Sequence, residues 1–214
     1  MSHDGDMLGD EQWEWLAQQL QQVPKPAVTI IVSSVQVLTS NPVFESWLHF
    51  PRSKQRLLQL LQEHEPNHLI LLSGDVHHAE IAGNPALEVT SSGLTHTCST
   101  PWWGAVCGWI TSQYGSHRSR EDLVFTGYNY GMITISWPGA EVQGAEPIVQ
   151  VGIRNQNGTE VLSSRISKSP VDSLRQAAEV DRLQEGRMRW GLPFLVALCC
   201  LSVTAFIWSG NGRA

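Results

Sequence analysis

Two short aliphatic runs, "AVTIIVSS" from residue 27 and "HLILLSG" from residue 68, each follow a stretch of helical periodicity, and that alternation leaves few architectures open. Neither run alternates polar with apolar residues, as a strand with one wet face does. Both are therefore expected to be short strands covered on both faces. Before the first, "LGDEQWEWLAQQLQQV" repeats Trp13, Leu16, Ala17 and Leu20 at helical spacing, with Asp10 as N-cap and Pro24 and Pro26 beyond its end. Before the second, "PRSKQRLLQLLQEH" has Pro51 at its start and Leu57, Leu58 and Leu61 on one side. Helix, strand, helix, strand is the rhythm of a layered α/β sheet, in which ligands collect beyond the carboxyl ends of the strands.

Further along, "ALEVTSSGLTH" reads as a strand leading to a polar end. The runs "YNYGMITISW" and "PIVQVGIRNQNGTEVLSSRIS" read as antiparallel strands with a hairpin at Asn157-Gly158. Residues 163–187 are polar and are expected to be a partly helical stalk. They lead to a 19-residue uncharged run, Trp190 to Trp208. As a helix that run is roughly 28 Å long against a hydrocarbon core of ~30 Å, so a single transmembrane helix is expected, with a buried core helix as its alternative. Cys98 and Cys107 flank "STPWWGAV" and would pair in an oxidising compartment or stay reduced in the cytosol. A net charge of -6 with 14 Lys plus Arg gives no basic stripe for phosphates along a nucleic acid, so no nucleic-acid partner is expected.

The second aliphatic run delivers Ser73-Gly74-Asp75-Val76-His77-His78 to a strand end. A carboxylate and imidazoles two residues apart form a donor set for Zn, Mn or Fe. The alternative is that Asp75 caps the turn and His78 points back into the structure. Gln36 follows the first run and is expected to reach the same edge, or else to bridge two loops as a structural amide. His96 ends "TSSGLTH" and is either functional or a hydrogen-bonded structural histidine. Ser33 and Ser34 lack the Gly-x-Ser-x-Gly setting of a nucleophile elbow, which argues against serine-hydrolase chemistry.

In order, "MLGDEQWEWL", "IIVSSVQVL", "WLHFPRSKQRLLQLL", "LLSGDVHHAEI" and "EVTSSGLTH" resemble the PhoD-like (alkaline phosphatase D-like) metallophosphoesterases, and "NYGMITISW" continues the likeness to about residue 137. The resemblance implies a partial calcineurin-like α/β/β/α sandwich over residues 1–167. A polar juxtamembrane stalk at 168–189, the transmembrane helix at 190–208 and a short tail at 209–214 would follow. It implies metal-dependent hydrolysis of phosphate esters with two divalent or trivalent metal ions, calcium and iron in bacterial relatives. Gly74-Asp75-Val76-His77 matches the Gly-His-x-His metal motif of the wider superfamily, so the resemblance implies metal ligation by His77, Asp75 and Gln36. It implies catalytic supporting roles for His78 and His96. The Asp-rich motifs of the family's first half, of the kinds Gly-Asp-x-x-Asp and Asp-Asp-His-Asp, do not occur, so the likeness is to the second half of the domain.

Two functions follow from that departure. The first is a membrane-anchored phosphatase acting on phosphate esters. The second is a non-catalytic, truncated homologue that serves as a membrane-tethered binding protein. A single-pass protein with its domain on the lumenal or extracellular side is favoured over a cytoplasmic one, because secretion is common among the relatives.

Overall fold

The computed structural model describes residues 5–24, 27–100, 104–115, 117–120, 122–138 and 146–183. Helix α1 (Asp10–Gln21) opens the fold and seats Trp13, Leu16 and Leu20 inward; Gly9 takes the N-cap, so Asp10 lies in the first turn, where its charge suits the helix dipole. Strand β1 (Ile30–Val32) is followed by a single 3₁₀ turn (Trp47–His49) and then α2 (Pro51–His64), which buries Leu57, Leu58 and Leu61 as its spacing predicts. Strands β2 (Ile70–Ser73), β3 (Ala79–Ala82) and β4 (Glu88–Ser91), helix α3 (Gly104–Gln113) and β5 (Val124–Phe125) come next. Strands β6 (Asn129–Ser136), β7 (Ile148–Asn155) and β8 (Glu160–Arg165) complete the β structure.

The strands form two sheets, one in the order β1-β2-β4-β3-β5 and one in the order β6-β7-β8. Strands β1, β2 and β4 are parallel, with Ile30 beside Ile70 and Leu72 beside Val89, whereas β3 runs antiparallel to both its neighbours, β4 and β5. The second sheet is an antiparallel meander whose β7–β8 turn is the expected one: Gly158 has φ +80° and donates to the Asn155 carbonyl at 2.9 Å.

Two apolar cores explain the layering. Trp13, Leu16, Leu57, Leu61 and Leu71 pack the helices on one face of the five-stranded sheet. On the other face Ile70, Ile81, Val89, Val151, Ile153 and Leu162 join the two sheets. Residues 171–183, expected to belong to a polar stalk, are helical; Leu174 and Ala177 sit in the first core, and Asp181 reaches the buried Lys54 at 2.7 Å.

Two expectations are corrected. Among the described residues the fold is a mixed α/β arrangement of two sheets and helices, and the transmembrane helix expected to follow it is not among them. Among the described residues no helix is long and apolar enough to cross a membrane. The longest helix among the described residues, α2, has 14 residues, or ~21 Å against the ~30 Å required, and carries charged side chains. The expected span at 190–208 lies outside the described residues, and the single-pass, lumenally or extracellularly oriented localisation built on it is withdrawn. The first aliphatic run also differs from expectation: β1 is an edge strand, with Ile30 42% and Val32 76% exposed. A run of aliphatic residues tells that both faces are apolar, not that a neighbour covers them.

Candidate functional site

Parallel pairing brings the carboxyl ends of β1, β2 and β4 to one edge, where Ser33-Ser34, Gly74-Asp75 and Ser92-Gly93 lie. A Cβ at Gly74 would make ordinary contacts, 3.8 Å from the Ser34 carbonyl and 3.9 Å from Ser92 Oγ, so the packing at this edge does not itself demand glycine. The chain then turns through two left-handed residues, Asp75 at φ +70° and His77 at φ +57°, with buried Val76 between them. Left-handed backbone costs a non-glycine residue ~1–2 kcal/mol, and such outliers persist where the surroundings fix them. Here they are fixed by the Val76 anchor, by a 3.3 Å bond from the His77 N–H to Ser92 Oγ, and by the Cys98 N–H donating to the His77 carbonyl at 2.9 Å. Both side chains are therefore held out to solvent.

The expected site residues divide. Asp75 and His77 share the exposed loop, and His96, also exposed, stacks on His77 with ring centroids 5.9 Å apart. Thr95 Oγ1 contacts His96 Nδ1 at 3.0 Å. Gln36 is buried; its Nε2 donates to Thr90 Oγ1 at 3.0 Å while its Oε1 has no partner. Thr90 in turn contacts Ser73 Oγ at 2.8 Å, which ties Gln36 to the base of the loop without bringing it into solvent. His78 is 1% exposed and faces inward, its ring between the Val76 carbonyl at 2.9 Å and Glu80 Oε2 at 3.3 Å. Among the described residues no three His, Cys, Asp or Glu side chains gather as a metal centre. Cys98 and Cys107 are joined as a disulfide, which ties the segment beside His77 to α3.

Beneath this loop lies a buried polar hub that sequence reasoning missed. Glu80 of β3 meets His78, His117 and Arg118, the last at 3.3 Å from Oε1, and all four side chains are nearly inaccessible. His117 accepts at Nδ1 from the Ser40 N–H at 3.1 Å, so the proton on its ring is at Nε2, facing Glu80. Hydroxyl, imidazole and carboxylate thus stand in the order of a serine nucleophile relay. Ser40 is 1% exposed and its Oγ also bonds the Tyr114 carbonyl at 3.1 Å, so the arrangement is a clamp between loops. The signal available in the sequence was a lone carboxylate inside the aliphatic "AEIA", which a buried strand tolerates only with partners.

Burial pushes the Glu80 carboxyl up, but the hydrogen bonds of His117 and His78 and the charge of Arg118 outweigh it, holding the group well below the usual carboxylate range. Glu88 of β4 goes the other way: burial raises it, against hydrogen bonds from the Val37 and Leu38 N–H groups at 2.8 and 2.6 Å. Their pH effects are opposite. A depressed Glu80 adds stability that is present above its ordinary value near 4.5 and is lost as pH falls through its native value. A raised Glu88 adds stability that is present below 4.5 and is lost as pH rises through its native value. Urea midpoints measured against pH should therefore rise toward pH 4.5 from the acid side and, for the Glu88 contribution, fall above it; Glu88→Gln should remove the second slope and leave the first.

Gly93 sets the distance between this edge and β6. A Cβ at 93 would lie 2.9 Å from the Gly127 carbonyl and 2.9 Å from Asn129 Cγ. Asn129 cannot step aside, because it bonds Ser91 Oγ at 3.1 Å, the Gly127 carbonyl at 2.8 Å and, through its N–H, the Gly93 carbonyl at 2.9 Å. Gly93→Ala is expected to cost ~1–3 kcal/mol in chemical denaturation, as overpacking against fixed groups does.

A layered α/β protein with a strained, solvent-facing Asp and His at the carboxyl edge of its parallel strands is of the class that binds ligands at that edge. The family model for PhoD-like phosphatases matches residues 1–136, and the chain belongs to that family. Members of the family are generally metal-dependent. A solved structure described as that of PhoD aligns over 84% of this chain at 16% identity and a TM-score of 0.41, and the chain spans 42% of its length. No curated protein matches the chain.

Proposed function

We propose that this chain carries part of a phosphate-ester hydrolysing site, centred on the Asp75–His77 loop. The observation that carries this reading is the pair of left-handed residues, φ +70° and +57°, that present a carboxylate and an imidazole to solvent from one loop. Family membership supplies the reaction class.

The donors fit a metal ion in part. Asp75 offers oxygen and His77 nitrogen from one loop, and the unpartnered Oε1 of Gln36 is a further oxygen donor beneath it. When bound, such an ion supplies Lewis acidity toward a phosphoryl oxygen. The chain's own residues do the rest: Ser92 and Cys98 fix the His77 backbone, and His96 orients the His77 ring by stacking. His78 acts through Glu80, since it is enclosed and has no access to a substrate.

A second reading, a non-catalytic homologue that binds metal or phosphorylated ligands, is favoured by the lack of a three-donor cluster among the described residues. Hydrolysis of 4-nitrophenyl phosphate and bis(4-nitrophenyl) phosphate by the full chain, with and without added Ca(II), Mn(II) or Fe(III), separates the two. Metal-stimulated turnover lost in Asp75→Ala supports the enzyme. Metal binding without turnover supports the second reading, and turnover indifferent to both metal and Asp75 contradicts the site.

A further inference from the structure

Helix α3 has little of its own to hold it. Its 10 residues include Gly104, Val106, Gly108, Ile110 and Thr111, all below alanine in helix propensity, and a helix shorter than ~12–15 residues is marginal in water without packing. Packing is scarce: its buried residues are Cys107 and Thr111, Trp109 is 63% and Val106 43% exposed, and among the described residues no strand or other helix packs broadly against it. The helix is tied down instead at two points. Near its end the Thr111 carbonyl accepts from the Arg118 guanidinium, and in its first half Cys107 is bonded to Cys98. Cys98 is also a residue that fixes the site. Its N–H donates to the His77 carbonyl at 2.9 Å, and two residues before it His96 stacks on the His77 ring. The disulfide thus joins the left-handed loop to a helix that depends on it. The fold beneath keeps its own anchors, since Val76 is buried, His78 is held by Glu80, and the Thr97 hydroxyl bonds the Thr126 carbonyl.

We propose that the Cys98–Cys107 disulfide is a redox-sensitive switch on the Asp75–His77 loop, a proposal that rests on the reading of that loop as a ligand site. Oxidised, it keeps the Cys98 N–H on the His77 carbonyl and His77 in the backbone conformation that presents its ring. Reduced, it releases the first turns of α3 and the chain at Cys98. His77 then loses a donor that fixes its left-handed backbone, and a residue at φ +57° relaxes when its surroundings no longer hold it. The reductant is a dithiol. One of its thiolates attacks Cys98 Sγ, the half-buried sulfur residue of the pair, the S–S bond breaks, and Cys107 Sγ leaves as a thiolate and takes a proton. The second thiol of the reductant then closes its own disulfide and releases Cys98, so two electrons and two protons pass to the protein. The core is outside this exchange: Glu80, His78 and His117 hold one another without either cysteine.

Amide hydrogen exchange of the ¹⁵N-labelled full chain, before and after dithiothreitol, reads the switch without metal or substrate. Reduction is expected to lower the protection of the Cys98 N–H at least tenfold, and that of Leu71 and Ile81, which bond the Leu87 and Leu123 carbonyls, by less than twofold. Reoxidation should restore it. Titration with Zn(II) then compares the oxidised wild type with Cys98→Ser/Cys107→Ser, which offers the ion no new thiol. The His77 ring signals of the variant are expected to respond with an affinity at least several-fold weaker. Should the serines impair folding, Cys98→Ala/Cys107→Ala keeps the buried position apolar and serves the same comparison. A Cys98 N–H equally protected in both states, protection lost equally at Leu71 and Ile81, or equal Zn(II) affinity at His77 with and without the disulfide would overturn the switch and leave the site standing. A His77 silent toward Zn(II) in both forms would remove the site and the switch with it.

Discussion

Glu80→Ala is expected to lower stability by about 3–5 kcal/mol, the scale for stripping a buried charge of its partner. The carboxylate touches His78, His117 and Arg118, whose side chains are 1–2% exposed, so no water is positioned to replace it. Removing it leaves a guanidinium and two imidazole N–H groups facing a cavity. Three segments lose their common anchor: the site loop through His78, the Ser40 loop through His117, and the segment after α3 through Arg118. At ~2–4 °C per kcal/mol for a chain of this size, the melting temperature should fall by roughly 6–20 °C. Glu80→Gln, which keeps the shape and one acceptor, should recover part of the loss. A change below about 1 kcal/mol for Glu80→Ala in urea denaturation would mean that the hub is not holding these segments.

The two adjacent histidines should respond to substitution in opposite ways. His77 is exposed and left-handed, and its ring packs on the equally exposed His96, so His77→Ala should leave stability within about 0.5 kcal/mol, as exposed positions usually do. If it donates to a metal, its loss should lower kcat/KM for phosphate-ester hydrolysis by ~100-fold or more, near the cost of a lost catalytic electrostatic contact. His78 is enclosed against Glu80 and lies 5.6 Å from the Phe44 ring, so His78→Ala should cost ~2–4 kcal/mol of stability. Any loss of activity in that variant should follow the loss of folded protein. A pair of melts and a pair of kinetic titrations distinguish the roles, and equal effects from the two substitutions would contradict the assignment.

How far these features could be read in advance depended on whether their causes are local. The helices at Asp10–Gln21 and Pro51–His64 follow from apolar spacing and proline placement, which act within a few residues, and the Asn157-Gly158 turn follows from glycine's access to positive φ. The delivery of Asp75 and His77 to a strand end was also local, because "LILLSG" is a strand and a turn whatever surrounds it. What depended on distant partners was lost. Strand β3, Ala79–Ala82, went unnoticed because it is completed by β4 and β5 on either side, and the partner that explains its Glu80, His117, is 37 residues away. Helix α3 carries two glycines and three β-branched residues and has no strong amphipathic pattern, so its Cys107–Cys98 bond is a better guide to its position than its own sequence. Gln36 reached the expected edge but was spent on Thr90, a contact across 54 residues.

The central claim is that the loop from Asp75 to His78 presents one histidine to a ligand and turns the other into the fold. Titration of the ¹⁵N-histidine-labelled full chain with Zn(II), a diamagnetic probe, resolves the ring nitrogens one residue at a time once His77→Gln and His78→Gln have assigned them. The predicted result is a saturable shift of the His77 ring signals, abolished in Asp75→Ala, with those of His78 and His117 unmoved. An unresponsive His77, or a His77 response that survives without Asp75, would contradict the account.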